Sequence, residues 1–167
     1  MAKGKMDGSA RYQLRLLGAF RLEDPDGRRL DVSSKKAIAL LALLASAQSG
    51  ERWRAWIQDK LWGSRELHQA QTSLRRELHN LRKVTAGSRV PLVHANSRIV
   101  RLNLAHVDVD IRDRQRIAFS SEELLEGIDI AGEEAFEDWL RQTRKSLSEI
   151  AAELRSQLAH SRTDGAG

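Results

Sequence analysis

Residues 69–83, "QAQTSLRRELHNLRK", bring together Arg75, Arg76, Arg82, Lys83 and, when protonated, His79, against a single acid, Glu77. On a helical wheel of about 100° per residue, Leu67, Ala70, Leu74, Leu78 and Leu81 form one narrow apolar stripe. Gln69, Thr72, Arg76, His79 and Lys83 fall opposite that stripe, with Arg75 and Asn80 on its flanks. The stripe must face a core, so the other face meets solvent or a partner. Its side chains are hydrogen-bond donors suited to phosphate oxygens and to base edges in a duplex groove. A solvated helix face is the ordinary use of such residues. Here the face is lopsided: Glu77 lies near the core edge and not among the bases at ion-pair spacing. Arg82 falls nearer the stripe, and a structural role is expected for it.

The charge of the chain's front part favours an anionic partner. Net charge is +5 over 167 residues, and it is unevenly distributed. Residues 1–118 hold 23 Lys+Arg against 12 Asp+Glu, whereas residues 119–167 hold 5 against 11. A basic front and an acidic back imply two units with different partners, and a basic unit favours an anionic polymer. There are no cysteines, which excludes a disulfide framework and any Cys-ligated zinc site. The first residues lack an apolar leader, and no run approaches the roughly 18 apolar residues of a membrane span, so a soluble cytoplasmic protein is expected. The five histidines (68, 79, 94, 106 and 160) lack metal-ligand spacing and are expected at surface or structural positions. Asp108 and Asp110 share a strand face in "VDVDIRD", which reads as a strand ending in solvated carboxylates. No glycine-rich phosphate loop or Ser/His/Asp arrangement is present. The reading is a non-enzyme with no cofactor and no small-molecule substrate.

The elements that must position the basic helix are short. In "YQLRLLGAFRLEDPDGRRLDV", Leu14, Leu16, Phe20 and Leu22 follow strand periodicity, and Pro25-Asp26-Gly27 signals a turn, so two or three strands come first. Ser33 or Ser34 can cap "KKAIALLALLASAQSG", which is apolar on most sides and reads as a buried helix ending at a glycine. "RWRAWIQDKLWG" reads as a second helix with Trp53, Ile57 and Leu61 on one face. The basic helix, 66–84, follows a short connection at Gly63–Arg65. "LVHANSRIVRLNL", within 91–104, reads as a hairpin turning at Ala95-Asn96-Ser97. The fold class is α+β, in the order strands, three helices, hairpin. A short helix followed by a tight turn and a basic helix is helix-turn-helix order.

In this order, residues 12–104 resemble the OmpR/PhoB-type winged helix, in the version at the front of the bacterial antibiotic-regulatory activators (the SARP class). The residues that carry the resemblance are "LRLLGAFRLE", "SSKKAIALLALLA", "KLW" at 60–62, "SLRRELHNLRK" at 73–83 and "RIVRLN" at 98–103. Residues 135–158, "AFEDWLRQTRKSLSEIAAELRSQL", resemble the opening of the bacterial transcriptional activator domain, a TPR-like helical module. The resemblance implies a winged helix over 12–110, a truncated activator-type segment over 119–160, and disordered tails at 1–11 and 161–167. It implies sequence-specific binding of double-stranded DNA by a transcriptional regulator, an activator by class, with helix 66–84 in the major groove and hairpin 91–104 as the wing. Thr72, Arg75, Arg76, His79 and Lys83 would read bases. Lys35, Lys36, Arg52, Arg54 and Gln69 would hold the DNA backbone, and Asn96 and Arg98 would sit at the wing tip. Gly63, Ser64 and Arg65 correspond to the family's segment that can contact RNA polymerase. A homodimer on direct repeats is a further implication.

The chain departs from the family pattern in two places. Trp53 stands where the family tends to have a capping Ser or Thr, and Trp56 takes a position that is commonly polar; both are expected to pack against neighbours. The activator-type segment is short, with "SSEELLEG" as its reduced first helix and one long amphipathic helix over 133–158. One repeat cannot bury its own face. Either further repeats follow Gly167 or the helix packs elsewhere, and docking onto the chain's own N-terminal strands is the expectation. The rival function class is a winged-helix module whose basic face meets protein or RNA within a larger signalling or effector protein.

Overall fold

The computed structural model describes residues 10–165. Of the tail expected at 1–11, only Ala10 and Arg11 fall within it, exposed and outside any regular element; residues 1–9 lie outside the described residues. Strand β1 (Tyr12–Arg15) buries Tyr12 and Leu14 on alternate positions. It pairs antiparallel with β2 (Arg21–Glu23), which pairs antiparallel with β3 (Arg29–Leu30). Asp24 holds the turn between β2 and β3 by accepting from the backbone N–H of Asp26 and Arg28. The fourth strand was not apparent from the sequence as a partner here: β7 (Val107–Val109) runs parallel to β1, with Val109 opposite Leu14. A parallel pair needs a long crossover. In this chain the crossover contains three helices and a second sheet, so nothing local signals the pairing.

Helix α1 (Lys35–Ser46) is the centre of the core. Ser34 caps it, its hydroxyl accepting from Ala37 N at 3.2 Å, and the nine residues from Ala37 to Ala45 are all buried. Gly50, at φ +71°, reverses the chain into β4 (Glu51–Trp53). β4 pairs with β6 (Ile99–Leu102), and β6 with β5 (Val93–Ala95), giving a second antiparallel sheet in the order β4-β6-β5. This corrects the sequence reading, which ran residues 52–63 as one helix. The three strand residues exist because β6 supplies their backbone partners, and three residues show no periodicity of their own. Helix α2 is Arg54–Trp62. Ile57 and Leu61 bury as expected, but Trp53 precedes the helix and is 62% exposed.

Helix α3 (Leu67–Val84) follows a tight turn. A Cβ at Gly63 would sit 2.5 Å from the Asp59 carbonyl oxygen, so the turn admits only glycine there without rearrangement. Ala70, Leu74, Leu78 and Leu81 are buried. Leu67, the first member of the sequence stripe, is not: it is 69% exposed, because at the helix start it borders a cleft and not the core.

The rest of the chain wraps this unit. After β7, Asp113 caps the short helix α4 (Arg114–Phe119). "SSEELLEG" is not a helix. Its backbone pairs instead with the end of β1: Leu17 bridges Leu124, Gly18 N donates to Glu123 O at 2.7 Å, and Leu125 N donates to Leu16 O at 2.7 Å. Leu124 and Leu125, adjacent in sequence, thereby both reach the core.

The final helix α5 (Glu134–Asp164) is 31 residues long and continues through part of the tail expected at 161–167. It was expected on the N-terminal strands; it packs chiefly on α4 and α2, while residues 120–127 cover the strand end. Phe136 and Leu140 enter the same core as α1 and β1, and each fully buried side chain of this size contributes about 1.5–3 kcal/mol. Ala151 and Leu154 bury further along, and Arg155 donates to Ala118 O.

The carboxylates of "VDVDIRD" are engaged by the fold, although Asp108 and Asp113 stay partly exposed. Asp108 pairs with Arg116 at 3.0 Å. Asp110 is buried, and its oxygens accept from the N–H groups of Leu16, Leu17 and Ile111 at 2.8–3.0 Å. It closes the end of β1 where sheet pairing stops. Among the described residues no helix is long and apolar enough to cross a membrane.

Candidate nucleic-acid interface

Because α3 buries Ala70, Leu74, Leu78 and Leu81, it must present the opposite side. Gln69, Arg75, Arg76, His79, Asn80 and Lys83 are all exposed, and Thr72 is half-buried, its hydroxyl donating to His68 O at 3.0 Å. Glu77 is half-buried at the core edge. Arg82, assigned a structural role from the sequence, is exposed. It lies seven residues from Arg75, nearly two helical turns, so it shares that residue's face. That spacing was visible in the sequence; assigning Arg82 by its distance from the apolar stripe missed it.

Beside α3 lies a cleft of about 630 Å³. The start of α2 contributes Trp53, Arg54 and Gln58; α3 contributes Leu67, Gln71 and Arg75; the β5–β6 turn contributes Ser97 and Arg98. No carboxylate lines it. Arg54 fixes its geometry: its N–H donates to Arg98 O at 2.8 Å and its guanidinium to Asn96 O at 3.3 Å. Asn96 in turn shapes the hairpin tip, its side-chain oxygen accepting from Arg98 N and Ile99 N. Burial, and then the charges of Arg75 and Arg82, lower the pKa of Arg54. Three like charges thus face one another in a partly desolvated site, which an anion would stabilise. Of these groups, Arg54, Arg75 and Arg98 were singled out from the sequence. Trp53, Gln58, Leu67, Gln71 and Ser97 were not assigned to the site, because only the approach of β4 and the hairpin to α3 creates it.

Other candidates have partners within the chain. Arg52 stacks on Trp56 at 4.1 Å and donates to Leu43 O at 3.1 Å and to Ser46 Oγ at 3.3 Å. It satisfies carbonyls at the end of α1, where a cation is favourable. Burial lowers its pKa. Trp56 is held between Arg52 and Lys60, as a packed residue. Lys36 pairs with buried Glu133 at 3.3 Å and lies over the Trp62 ring. Ser64 donates to the same Glu133 oxygen at 3.0 Å, and Arg65 to Ser73 Oγ at 3.1 Å. The 63–65 turn is therefore tied to the residue that precedes α5. Lys35, at the start of α1, stays exposed.

Two sheets, a central buried helix, and a basic helix beside a hairpin define a winged-helix-like α+β fold. No protein-family model and no curated protein matches the sequence. Among solved structures, the chain is similar to Mycobacterium tuberculosis EmbR in complex with a low-affinity phosphopeptide. The TM-score is 0.64 at 16% identity, over 86% of this chain and 43% of that one. The likeness is one of fold, and this chain spans less than half the length of that protein.

Proposed function

We propose that the protein is a transcriptional regulator of the SARP class that binds duplex DNA through an OmpR/PhoB-type winged helix, and that it is not an enzyme. The observation that carries this reading is the unpaired basic surface. Arg54, Arg75, Arg76, Arg82, Lys83 and Arg98 converge on one side, and none forms an ion pair among the described residues. Elsewhere Arg15, Lys36, Arg116 and Arg144 are ion-paired; cations such as Arg28, Arg29 and Arg101 are not, among the described residues, so the α3–hairpin surface is set apart by the clustering of its cations beside a cleft lined by no carboxylate. In this reading α3 enters the major groove, where Thr72, Arg75, Arg76, His79 and Lys83 reach base edges and Gln69 the backbone, and the β5–β6 hairpin meets the adjacent minor groove. Lys35 and Arg54 hold phosphates. Gly63–Arg65 faces RNA polymerase, and two copies bind direct repeats.

Selection of bound sequences from random duplex DNA tests this, with single-stranded RNA as the competing ligand. A consensus should emerge. Arg76→Ala should lose about 1–3 kcal/mol on it and relax preference at one or two positions. Equal binding of every duplex would make α3 a phosphate binder only, and preferential binding of RNA would favour the rival class.

A further inference from the structure

Two apolar side chains stand exposed in the most basic part of the molecule. Trp53 and Leu67, 62% and 69% exposed, line the same cleft as Arg54, Arg75 and Arg98. Trp53 occupies the N-cap of α2 and makes no capping hydrogen bond, although Ser, Thr, Asp or Asn there would stabilise the helix. Gln58 also lines the cleft; it is only 8% exposed, and its amide makes no hydrogen bond among the described residues. A ligand for this cleft must therefore combine negative charge, hydrogen-bonding oxygens and apolar surface. The backbone of a nucleic acid alternates phosphate with sugar and supplies all three.

The geometry of a duplex then fixes which part enters. If α3 lies in the major groove and the β5–β6 hairpin in the neighbouring minor groove, the strand that separates those grooves must pass between them, through this cleft. We infer that Trp53 and Leu67 pack against the deoxyribose rings of that strand and make the protein select DNA over RNA there. Arg54 and Arg98 hold the flanking phosphates, Arg75 borders the cleft on the side of the major groove, and the Gln58 amide is available to a backbone oxygen. The 2′-hydroxyl is what distinguishes the two sugars at a given site. Pressed against indole and leucine it would lose water and gain no partner.

This inference rests on the DNA reading, and the test separates the two. The selected duplex is remade with one ribonucleotide at each position of each strand in turn, and binding of the full chain is measured by fluorescence anisotropy. One or two adjacent positions on one strand should weaken binding about tenfold. The Trp53→Ala/Leu67→Ala double variant should bring that penalty within about twofold, whereas Trp53→Phe/Leu67→Met, which keeps the apolar surface, should retain most of it. Both side chains are exposed, and a thermal melt checks that the variants fold. Native protein indifferent to every ribonucleotide, or a penalty unchanged in the alanine variant, would overturn the sugar contact and leave DNA binding standing. Failure of the native protein to bind any duplex would overturn both.

Discussion

Six cations of the α3–hairpin surface (Arg54, Arg75, Arg76, Arg82, Lys83 and Arg98) lack ion-pair partners among the described residues, whereas Lys36 has Glu133 and Arg52 has the end of α1. That difference sets the salt dependence of binding. Each phosphate neutralised contributes about −0.9 to the slope of log affinity against log salt, so Arg54, Arg82 and Arg98, which are not assigned to base edges, together with exposed Lys35 give a slope of about −3.6. Raising salt fourfold should then weaken binding by roughly a hundredfold. Anisotropy of a labelled duplex between about 50 and 200 mM salt covers this range. Arg54→Ala should make the slope shallower by about one. Lys36→Gln should leave it unchanged, because its ammonium already sits 3.3 Å from Glu133. A native slope shallower than about −2 would refute phosphate contact by this surface. An equal effect of the two substitutions would refute the division between paired and free cations.

Three further outcomes follow from the packing. Phe136→Ala should destabilise the whole chain by about 3–5 kcal/mol, since Phe136 lies in the core shared with α1 and β1; urea unfolding followed by tryptophan fluorescence and by far-ultraviolet dichroism should show one coincident transition, and separate transitions would mean that α5 is not part of that core. Asp110→Ala leaves three backbone N–H groups, those of Leu16 and Leu17 after β1 and that of Ile111, without their acceptor, a loss of about 2–4 kcal/mol, with Asp110→Asn intermediate; an alanine variant as stable as the native chain would contradict this. Tyr12, whose hydroxyl donates to Val90 O at 2.6 Å, has a pKa raised above 10.0, first by burial. The unfolded chain releases that proton near its ordinary pKa while the folded chain keeps it, so the contribution of Tyr12 is constant below about pH 10 and falls as pH rises above it. The stability difference between native protein and Tyr12→Phe should therefore shrink at alkaline pH, and a difference independent of pH would argue against it.

The sequence determined the parts whose information is local. Ser34 announces α1, and the run Ala37–Ala45 can only be buried. The spacing of Ala70, Leu74, Leu78 and Leu81 orients α3 and so exposes Arg75, Arg76, His79 and Lys83 without reference to anything distant. The hairpin around Asn96 is likewise written in its alternation and its turn residue. What tertiary structure decided is whatever depends on a partner far along the chain. β4 is a strand because β6 lies beside it, β7 because β1 does, and residues 120–127 leave the expected helix because the end of β1 offers backbone hydrogen bonds. The same holds for individual side chains. Lys36 and Arg52 read as free cations until Glu133 and the end of α1 reach them, and Trp53 and Leu67 read as core until the hairpin and α3 leave them facing a cleft. Periodicity tells which face of a helix is apolar, but only the packed neighbours determine whether a residue at the end of that face is covered.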